Sequence, residues 1–204
     1  TTTPAAPSPG EPCTGYQKRM DSPRTPRTPR LDARWEATED YRVSPDGKTI
    51  TKQVFGYEQG AVASQVLEQG VLTWTFTIEK SAYEDSHMFL GVSDVEDEMA
   101  WAFSPSTGSL YFHADKDRWG KEMKTRIMSG NALFGCMEGS KVQVIVDMAA
   151  HTLSFQIHAA GKAAPEDIFE LSTKDCLLPE QVRPWLMLGH PNETVTISDI
   201  TELC

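Results

Sequence analysis

The sequence contains no long hydrophobic run, no closely spaced cysteines and no signal-peptide pattern. No stretch approaches the roughly 18 apolar residues of a membrane-spanning helix, and the first 30 residues lack the apolar core of a secretory signal. The cysteines form no Cys-x-x-Cys pair, so neither a zinc site nor a redox motif is predicted; they are Cys13, Cys136, Cys176 and Cys204. We therefore expect no membrane insertion and an intracellular, reducing compartment, with the cytoplasm or cytoskeleton favoured over an organelle.

Common catalytic and metal-binding motifs are also missing. There is no Gly-x-Ser-x-Gly elbow, no phosphate-binding Gly-x-x-x-x-Gly-Lys-Ser/Thr and no His-Glu-x-x-His. The histidines lie apart and are interpreted as loop or polar-face residues rather than metal ligands; they are His87, His113, His151, His158 and His190. The acidic run from Asp94 to Glu98 lacks the glycine and alternating ligands of a calcium loop. We predict no enzymatic activity, no cofactor and no metal.

Positive charge is scarce outside the N-terminal segment. The chain carries a net charge of −10, but residues 1–30 contribute +3, which leaves −13 on the remainder. A surface this acidic repels phosphate groups and anionic membranes. Nucleic acid is therefore not expected as a partner.

The N-terminal segment is rich in proline and arginine and poor in aliphatic side chains. Seven of the 13 prolines lie in the first 29 residues, a composition that cannot bury enough apolar surface to order itself. A repeat places Ser22, Thr25 and Thr28 before prolines and Arg24, Arg27 and Arg30 after them. Residues 1–40 are interpreted as an extended tail or linker. The alternative is a docking strip for an acidic partner, switched by phosphorylation.

From Tyr41 onward, short β-forming runs alternate with Gly, Asp, Ser and Pro clusters, which is typical of an all-β sandwich or barrel. In the run after Gly70, Leu72, Trp74, Phe76 and Ile78 alternate with threonines, as in a strand with one buried face. At most one helical turn is expected, around Pro165–Phe169 or Leu31–Tyr41. The predicted strands are Thr49–Val54, Val62–Val66, Val71–Ile78, Met88–Ser93, Ala100–Phe103, Ser109–Phe112, Lys141–Asp147, Thr152–His158, Ile168–Leu171, Arg183–Leu188 and Thr194–Ile200.

Seven motifs in a fixed order resemble the SPRY (B30.2-related) domain family over roughly Gly56–Ile200. They are Gly70–Ile78, Met88–Val92, Ala100–Phe103, Gly108–Tyr111, Glu138–Asp147, Thr152–Phe155 and Leu178–Pro184. The chain has Gly139-Ser140 where the family usually has Gly-Asp, and His158-Ala-Ala-Gly161 where it usually has Asn-Gly. The resemblance implies a bent antiparallel β-sandwich, SPRY- or concanavalin-like, spanning residues 41–204.

The resemblance also implies a non-enzymatic domain that recognises a protein or peptide through loops at one end. By position in the family's motifs, the contact residues would be Tyr83, Asp85, His87, Glu96, Asp97, Glu98, Asp115, Asp117, Arg118, Trp119, His190 and Asn192. Among these, Trp119 beside Arg118 has the composition of a binding hot spot, with a lid packed over the sandwich as the alternative. Trp74 and Trp101 are interpreted as core residues.

The leading hypothesis is an adaptor or accessory subunit of a larger complex that binds its partner through these loops. The first alternative is a purely structural subunit held in an assembly mainly by its tail. A carbohydrate-binding, lectin-like domain is the less favoured third hypothesis.

Overall fold

A computed structural model describes residues 32–57, 59–82, 88–114, 121–124, 137–162, 166–171 and 178–198; for 121–124 and 166–171 it describes the backbone alone. The chain divides after residue 30 into two units, and every described residue belongs to the second. Within those residues no helix has the length and apolarity needed to span a bilayer.

Two antiparallel sheets form the described structure, which confirms the predicted all-β sandwich. The strands are β1 (Tyr41–Val43), β2 (Thr49–Lys52), β3 (Ala61–Val62), β4 (Val71–Lys80), β5 (Phe89–Ser93), β6 (Met99–Ser104), β7 (Ser109–Ala114), β8 (Lys121–Lys124), β9 (Lys141–Asp147), β10 (Thr152–His158), β11 (Glu166–Leu171), β12 (Arg183–Met187) and β13 (Thr194–Ser198). The seven-stranded sheet has the order β1-β2-β13-β4-β9-β10-β11, and the six-stranded sheet has the order β3-β12-β5-β6-β7-β8.

The main core lies between the sheets and is built by period-two alternation. On β4, Leu72, Trp74, Phe76 and Ile78 are all fully or almost fully buried, as predicted. The threonine face of β4 differs from the expected exposed face, because Thr73 and Thr75 are also buried. Since β4 is paired on one side with β13 and on the other with β9, the neighbouring strands shelter these short side chains. Trp101 is buried in the same core, which confirms its assignment.

The expected helical turn at Pro165–Phe169 is wrong, because Glu166–Leu171 forms strand β11. Pairing with β10 satisfies the backbone of this segment and outweighs a local turn preference. The described part of Leu31–Tyr41 is also non-helical: Trp35 is buried and bridges to Ala63. The short strands β1 and β8 were missed, since their sequences Tyr-Arg-Val and Lys-Glu-Met-Lys are short and rich in charged residues.

The β9–β10 hairpin matches its predicted bounds and serves as scaffold. Leu153, Phe155 and Ile157 point into the core, and the Asp147 carboxylate accepts the N–H groups of both Ala149 and Ala150 at 2.9 Å in the turn. At the other end of the hairpin, the Ala160 N–H donates to the Ser140 hydroxyl at 3.1 Å. The two segments that depart from the SPRY pattern therefore contact each other. Their hydrogen bond closes the turn that follows β10.

A second apolar cluster covers the outer face of the six-stranded sheet. Alternate residues of β5, β6 and β12 face opposite ways: Leu90, Trp101 and Leu186 join the main core. The outer cluster consists of Tyr57, Val62, Phe89, Ala100, Ala102, Trp185 and Met187, with Tyr111 packed against it. This cluster forms the base of the candidate site.

Candidate functional site

A cavity of about 380 Å³, the acidic pocket, opens over the outer cluster. Its floor is made by Tyr57, Ala100, His113, Trp185 and Met187. Its walls carry four carboxylates, in two pairs: Glu39 and Asp40 precede β1, and Asp97 and Glu98 lie in the β5–β6 turn. Five separate chain segments therefore bring aromatic rings and negative charge to one cavity, as binding pockets commonly do.

Ring contacts hold the pocket floor rigid. The His113 ring lies 5.1 Å from the Trp185 ring and 5.0 Å from the Phe89 ring, between centroids. Such aromatic pairs stabilise a packed cluster beyond the area they bury. At Gly60 a Cβ atom would lie 2.3 Å from Trp185 Nε1, so only glycine lets the backbone approach the indole this closely. His113 was expected on a loop or polar face; that expectation is wrong, because the ring is buried among aromatics.

Asp94 shapes the wall formed by the β5–β6 turn. Its buried Oδ1 accepts the N–H of Glu98 at 2.9 Å and of Met99 at 3.2 Å. Asp97 adopts φ = 60°, the left-handed region that aspartate tolerates better than most residues. The turn is thus fixed by its own hydrogen bonds, and Asp97 and Glu98 are held at the cavity.

A buried ion pair fixes the opposite wall. Lys52 is fully buried, and its Nζ lies 2.7 Å from Asp40 Oδ2 and 4.4 Å from the centre of the Tyr41 ring. The Tyr41 hydroxyl donates to the Gln59 carbonyl at 3.1 Å and accepts the Leu188 N–H at 3.0 Å. Burial raises the pKa of the Tyr41 hydroxyl above its usual range, so it stays neutral. These contacts join the wall to the end of β12.

The loop after β12 depends on another buried carboxylate. Glu193 is fully buried, and its Oε2 accepts the N–H of Gly189 at 2.9 Å and of His190 at 3.0 Å. Burial raises the pKa of Glu193 to about 7, although hydrogen bonds to the carboxylate and the charge of Lys52 oppose the shift. The geometry of the loop that carries His190 and Asn192 therefore depends on a group that titrates near neutral pH.

Glu193→Gln should flatten the pH dependence of stability. The folded-state pKa of about 7 lies above the ordinary value of 4.5, so protonation stabilises the fold. This stabilisation is complete below about pH 4.5 and is lost as the pH rises through 7, to an extent on the order of 3 kcal/mol. Urea unfolding at pH 5.5, 7 and 8.5 should show the variant gaining stability relative to the wild type as the pH rises.

The matched control is Glu180→Gln, which removes an exposed carboxylate. It should follow the wild type across the same pH range. A constant difference between wild type and Glu193→Gln at all three pH values would contradict the assigned titration.

A second depression of about 500 Å³ adjoins the acidic pocket. It is lined by Phe55, Lys80, Ser81, Ala82, His190, Pro191 and Asn192. Phe55 is 65% exposed and packs edge-on against His190 with 5.1 Å between ring centroids. Tyr57, in the floor of the acidic pocket, lies 6.2 Å from the same His190 ring. The two concavities therefore meet at Tyr57 and His190.

Five of the contact residues proposed from the sequence fall on described loops. Asp97 and Glu98 line the acidic pocket, while Glu96 lies in the same turn without lining it. His190 and Asn192 line the second depression. The remaining contact residues lie outside the described residues: Tyr83, Asp85, His87, Asp115, Asp117, Arg118 and Trp119. So do the tail positions Ser22, Arg24, Thr25, Arg27, Thr28 and Arg30.

The pocket floor was missed by sequence reasoning, which did not single out Tyr57 or Trp185. A signal for it exists in the strands themselves. Segments Phe89–Val92, Ala100–Phe103 and Pro184–Leu188 are apolar without alternation, and continuous apolar runs are typical of strands covered on both faces. Such runs indicate that the outer face of this sheet is also occupied.

The sheets have the fold of SPRY-like β-sandwiches. The structure is similar to the SPRY domain of human HERC1, with a TM-score of 0.58 and 21% identity over 81% of this chain and 94% of that one. It is similar to stonustoxin, with a TM-score of 0.55 and 17% identity over 82% of this chain and 27% of that one. It also resembles arcelin-5, a lectin-like defence protein from Phaseolus vulgaris, with a TM-score of 0.50 and 12% identity over 83% and 92% of the respective chains.

Sequence comparisons add nothing to this fold assignment: no protein-family model and no curated protein matches the chain. Among the described residues, no group of three His, Cys, Asp or Glu side chains could hold a metal ion.

Proposed function

We propose that this chain is a non-enzymatic protein-interaction module, an adaptor or accessory subunit that binds a segment of a partner protein across the acidic pocket and the second depression. The observation that carries the proposal is a preformed cavity whose walls and floor are each fixed by contacts within the sandwich. Binding to such a site loses little entropy to ordering the protein. The SPRY-like fold supports the proposal, because domains of this family commonly recognise proteins or peptides.

Two neighbouring concavities suit an extended segment better than a compact ligand. The acidic pocket is large enough for one side chain of a partner, and the second depression offers the exposed Phe55 ring next to His190 and Pro191. Exposed aromatic rings beside a pocket are the usual anchors of peptide binding. We therefore assign the two sites to successive residues of one partner segment.

Met99→Trp tests the proposal by filling the acidic pocket. Met99 lines the cavity and is 37% exposed, so an indole can be accommodated there without entering the core. Capture by the full-length protein, followed by mass spectrometry and by rebinding of each purified partner, should show partners lost from the variant by about tenfold or more. The melting temperature should stay close to that of the wild type.

The matched control is Val66→Trp, which adds the same ring at a 43% exposed apolar position outside the pocket. It should retain every partner. Equal capture by all three proteins would contradict the proposed site. Loss of partners on deletion of residues 1–30, with Met99→Trp unaffected, would favour the tail-anchored alternative, and binding on a glycan array would favour the lectin-like one.

A further inference from the structure

We infer that the acidic pocket binds the side chain of an arginine in the partner segment. This inference rests on the proposed function and adds the chemistry that the pocket selects. It is carried by the sign of the charge in the cavity, by the way the Asp40 carboxylate is held, and by the aromatic character of the floor.

The charge in the pocket favours a cationic ligand. Four carboxylates line it, and none of the described lining residues is Lys or Arg. Glu39 and Glu98 are exposed, and among the described residues no cationic side chain lies within ion-pair distance of either. A concave site lined by one sign of charge concentrates its field on an incoming counter-charge. A phosphorylated or acidic segment would be repelled.

The ion pair between Lys52 and Asp40 does not block the cavity. Lys52 binds Asp40 Oδ2 from behind, and because Lys52 is fully buried against the Tyr41 ring it does not occupy the cavity. It holds the carboxylate in one orientation while the pocket remains negative. An incoming cation then meets a carboxylate that is already oriented.

The floor distinguishes arginine from lysine. The cavity is lined by two pairs of carboxylates, on the segment before β1 and on the β5–β6 turn, and by the rings of Tyr57, His113 and Trp185. A guanidinium is planar, presents five donors in a fixed fork and stacks on aromatic surfaces. An ammonium is a compact point charge that is more strongly hydrated and has no plane to stack. A planar cation can pair with both walls and contact the floor together.

The inference can be tested with a random 12-residue peptide library displayed against the full-length protein. We expect the selected peptides to share an arginine at one aligned position. In synthetic versions of these peptides, replacement of that arginine by citrulline keeps the shape and removes the charge, and should weaken binding by at least about tenfold. Replacement by lysine should weaken binding as well, but by less than citrulline. Fluorescence anisotropy of labelled peptides measures both effects.

Protein variants identify the site. The double variant Glu39→Gln and Glu98→Gln should weaken the binding of the arginine peptides by about tenfold or more. It should also narrow the difference in affinity between the arginine and citrulline peptides. The matched control is Glu68→Gln with Glu180→Gln, which removes two exposed carboxylates outside the acidic pocket and should leave affinity unchanged. An equal loss of affinity in both double variants would mean that the effect comes from the net charge of the protein, and would overturn the inference.

The remaining outcomes separate the two proposals. Selected peptides that lack a basic residue, or that bind equally with citrulline, overturn the arginine assignment; if Met99→Trp abolishes their binding, the proposed function stands. Peptides that bind wild type and Met99→Trp equally, or a library that yields no binder, overturn the proposed function and the arginine assignment together.

Discussion

Lys52→Met should lower the free energy of unfolding by about 3 kcal/mol or more. The substitution keeps the length of the side chain and its contact with the Tyr41 ring, but removes the charge that lies 2.7 Å from Asp40. Removing one partner of a buried ion pair commonly costs 3–5 kcal/mol, because the other charge is left unpaired in a poorly solvated site. Asp40 keeps 25% of its side-chain surface exposed, so we expect a value near the lower end. Urea denaturation followed by tryptophan fluorescence measures the loss.

Two further variants separate the buried pair from an ordinary surface pair. Lys48→Met removes a partly exposed lysine that pairs with Asp32 at 2.8 Å, and should cost no more than about 1 kcal/mol. In Lys52→Met, a second substitution of Asp40→Asn should restore part of the lost stability, because it removes the unpaired charge. Additive losses in the double variant would show that the two side chains are not energetically coupled.

Gly91→Ala should destabilise the six-stranded sheet by at least about 3 kcal/mol. A Cβ at this position would lie 1.9 Å from the backbone carbonyl oxygen of Trp101 and 2.7 Å from the Cα of Ala102. Both atoms belong to the backbone of β6, which is hydrogen-bonded to β5 and to β7 and cannot shift alone. Overpacking against side chains costs about 1–3 kcal/mol, and a clash with paired backbone costs more, since hydrogen bonds must break. The loss of stability is measured as a drop in the melting temperature and in the denaturant midpoint.

Gly161→Ala is the control for this steric effect. Gly161 has φ = 77° and nothing within 4 Å of an added Cβ, so the substitution introduces only the backbone strain of the left-handed region, about 1 kcal/mol. A loss in Gly91→Ala no larger than that in Gly161→Ala would mean that β5 and β6 can separate easily. The outer cluster would then be less rigid than its ring contacts indicate.

Sequence patterns predicted the strands whose two faces have different environments. The bounds of β9 and β10 agree with the alternation of Val142, Val144 and Val146 and of Leu153, Phe155 and Ile157, because one face of each strand meets the core. The runs Tyr-Arg-Val and Lys-Glu-Met-Lys are too short and too polar to give this signal, so β1 and β8 were missed. The alternation of buried and exposed residues can thus be detected in the sequence of a strand that crosses the whole core, but not in the sequences of β1 and β8.

The acidic pocket could not be predicted because it is non-local. Its parts lie at residues 39–40, 57–60, 97–100, 113 and 185–187, and only the β5–β6 turn was proposed as a contact loop. Lys52 illustrates the limit most clearly. In the short run Thr-Ile-Thr-Lys a terminal lysine is expected to be solvent-exposed, yet Lys52 is fully buried, with its ammonium group next to Asp40 and the Tyr41 ring. The burial of a charge depends on tertiary contacts that local periodicity does not encode.

The alternation along β5, β6 and β12 has a consequence for how this surface can evolve. Odd and even positions of the same strands serve two separate purposes, with Leu90, Trp101 and Leu186 in the interior and Phe89, Ala100 and Trp185 beneath the pocket. Substitutions in the second set can therefore change the floor of the pocket without altering the interior. Insertion or deletion of one residue in any of these strands would turn the residues of that strand to the opposite face, so we expect changes in chain length in the connecting turns rather than in the strands.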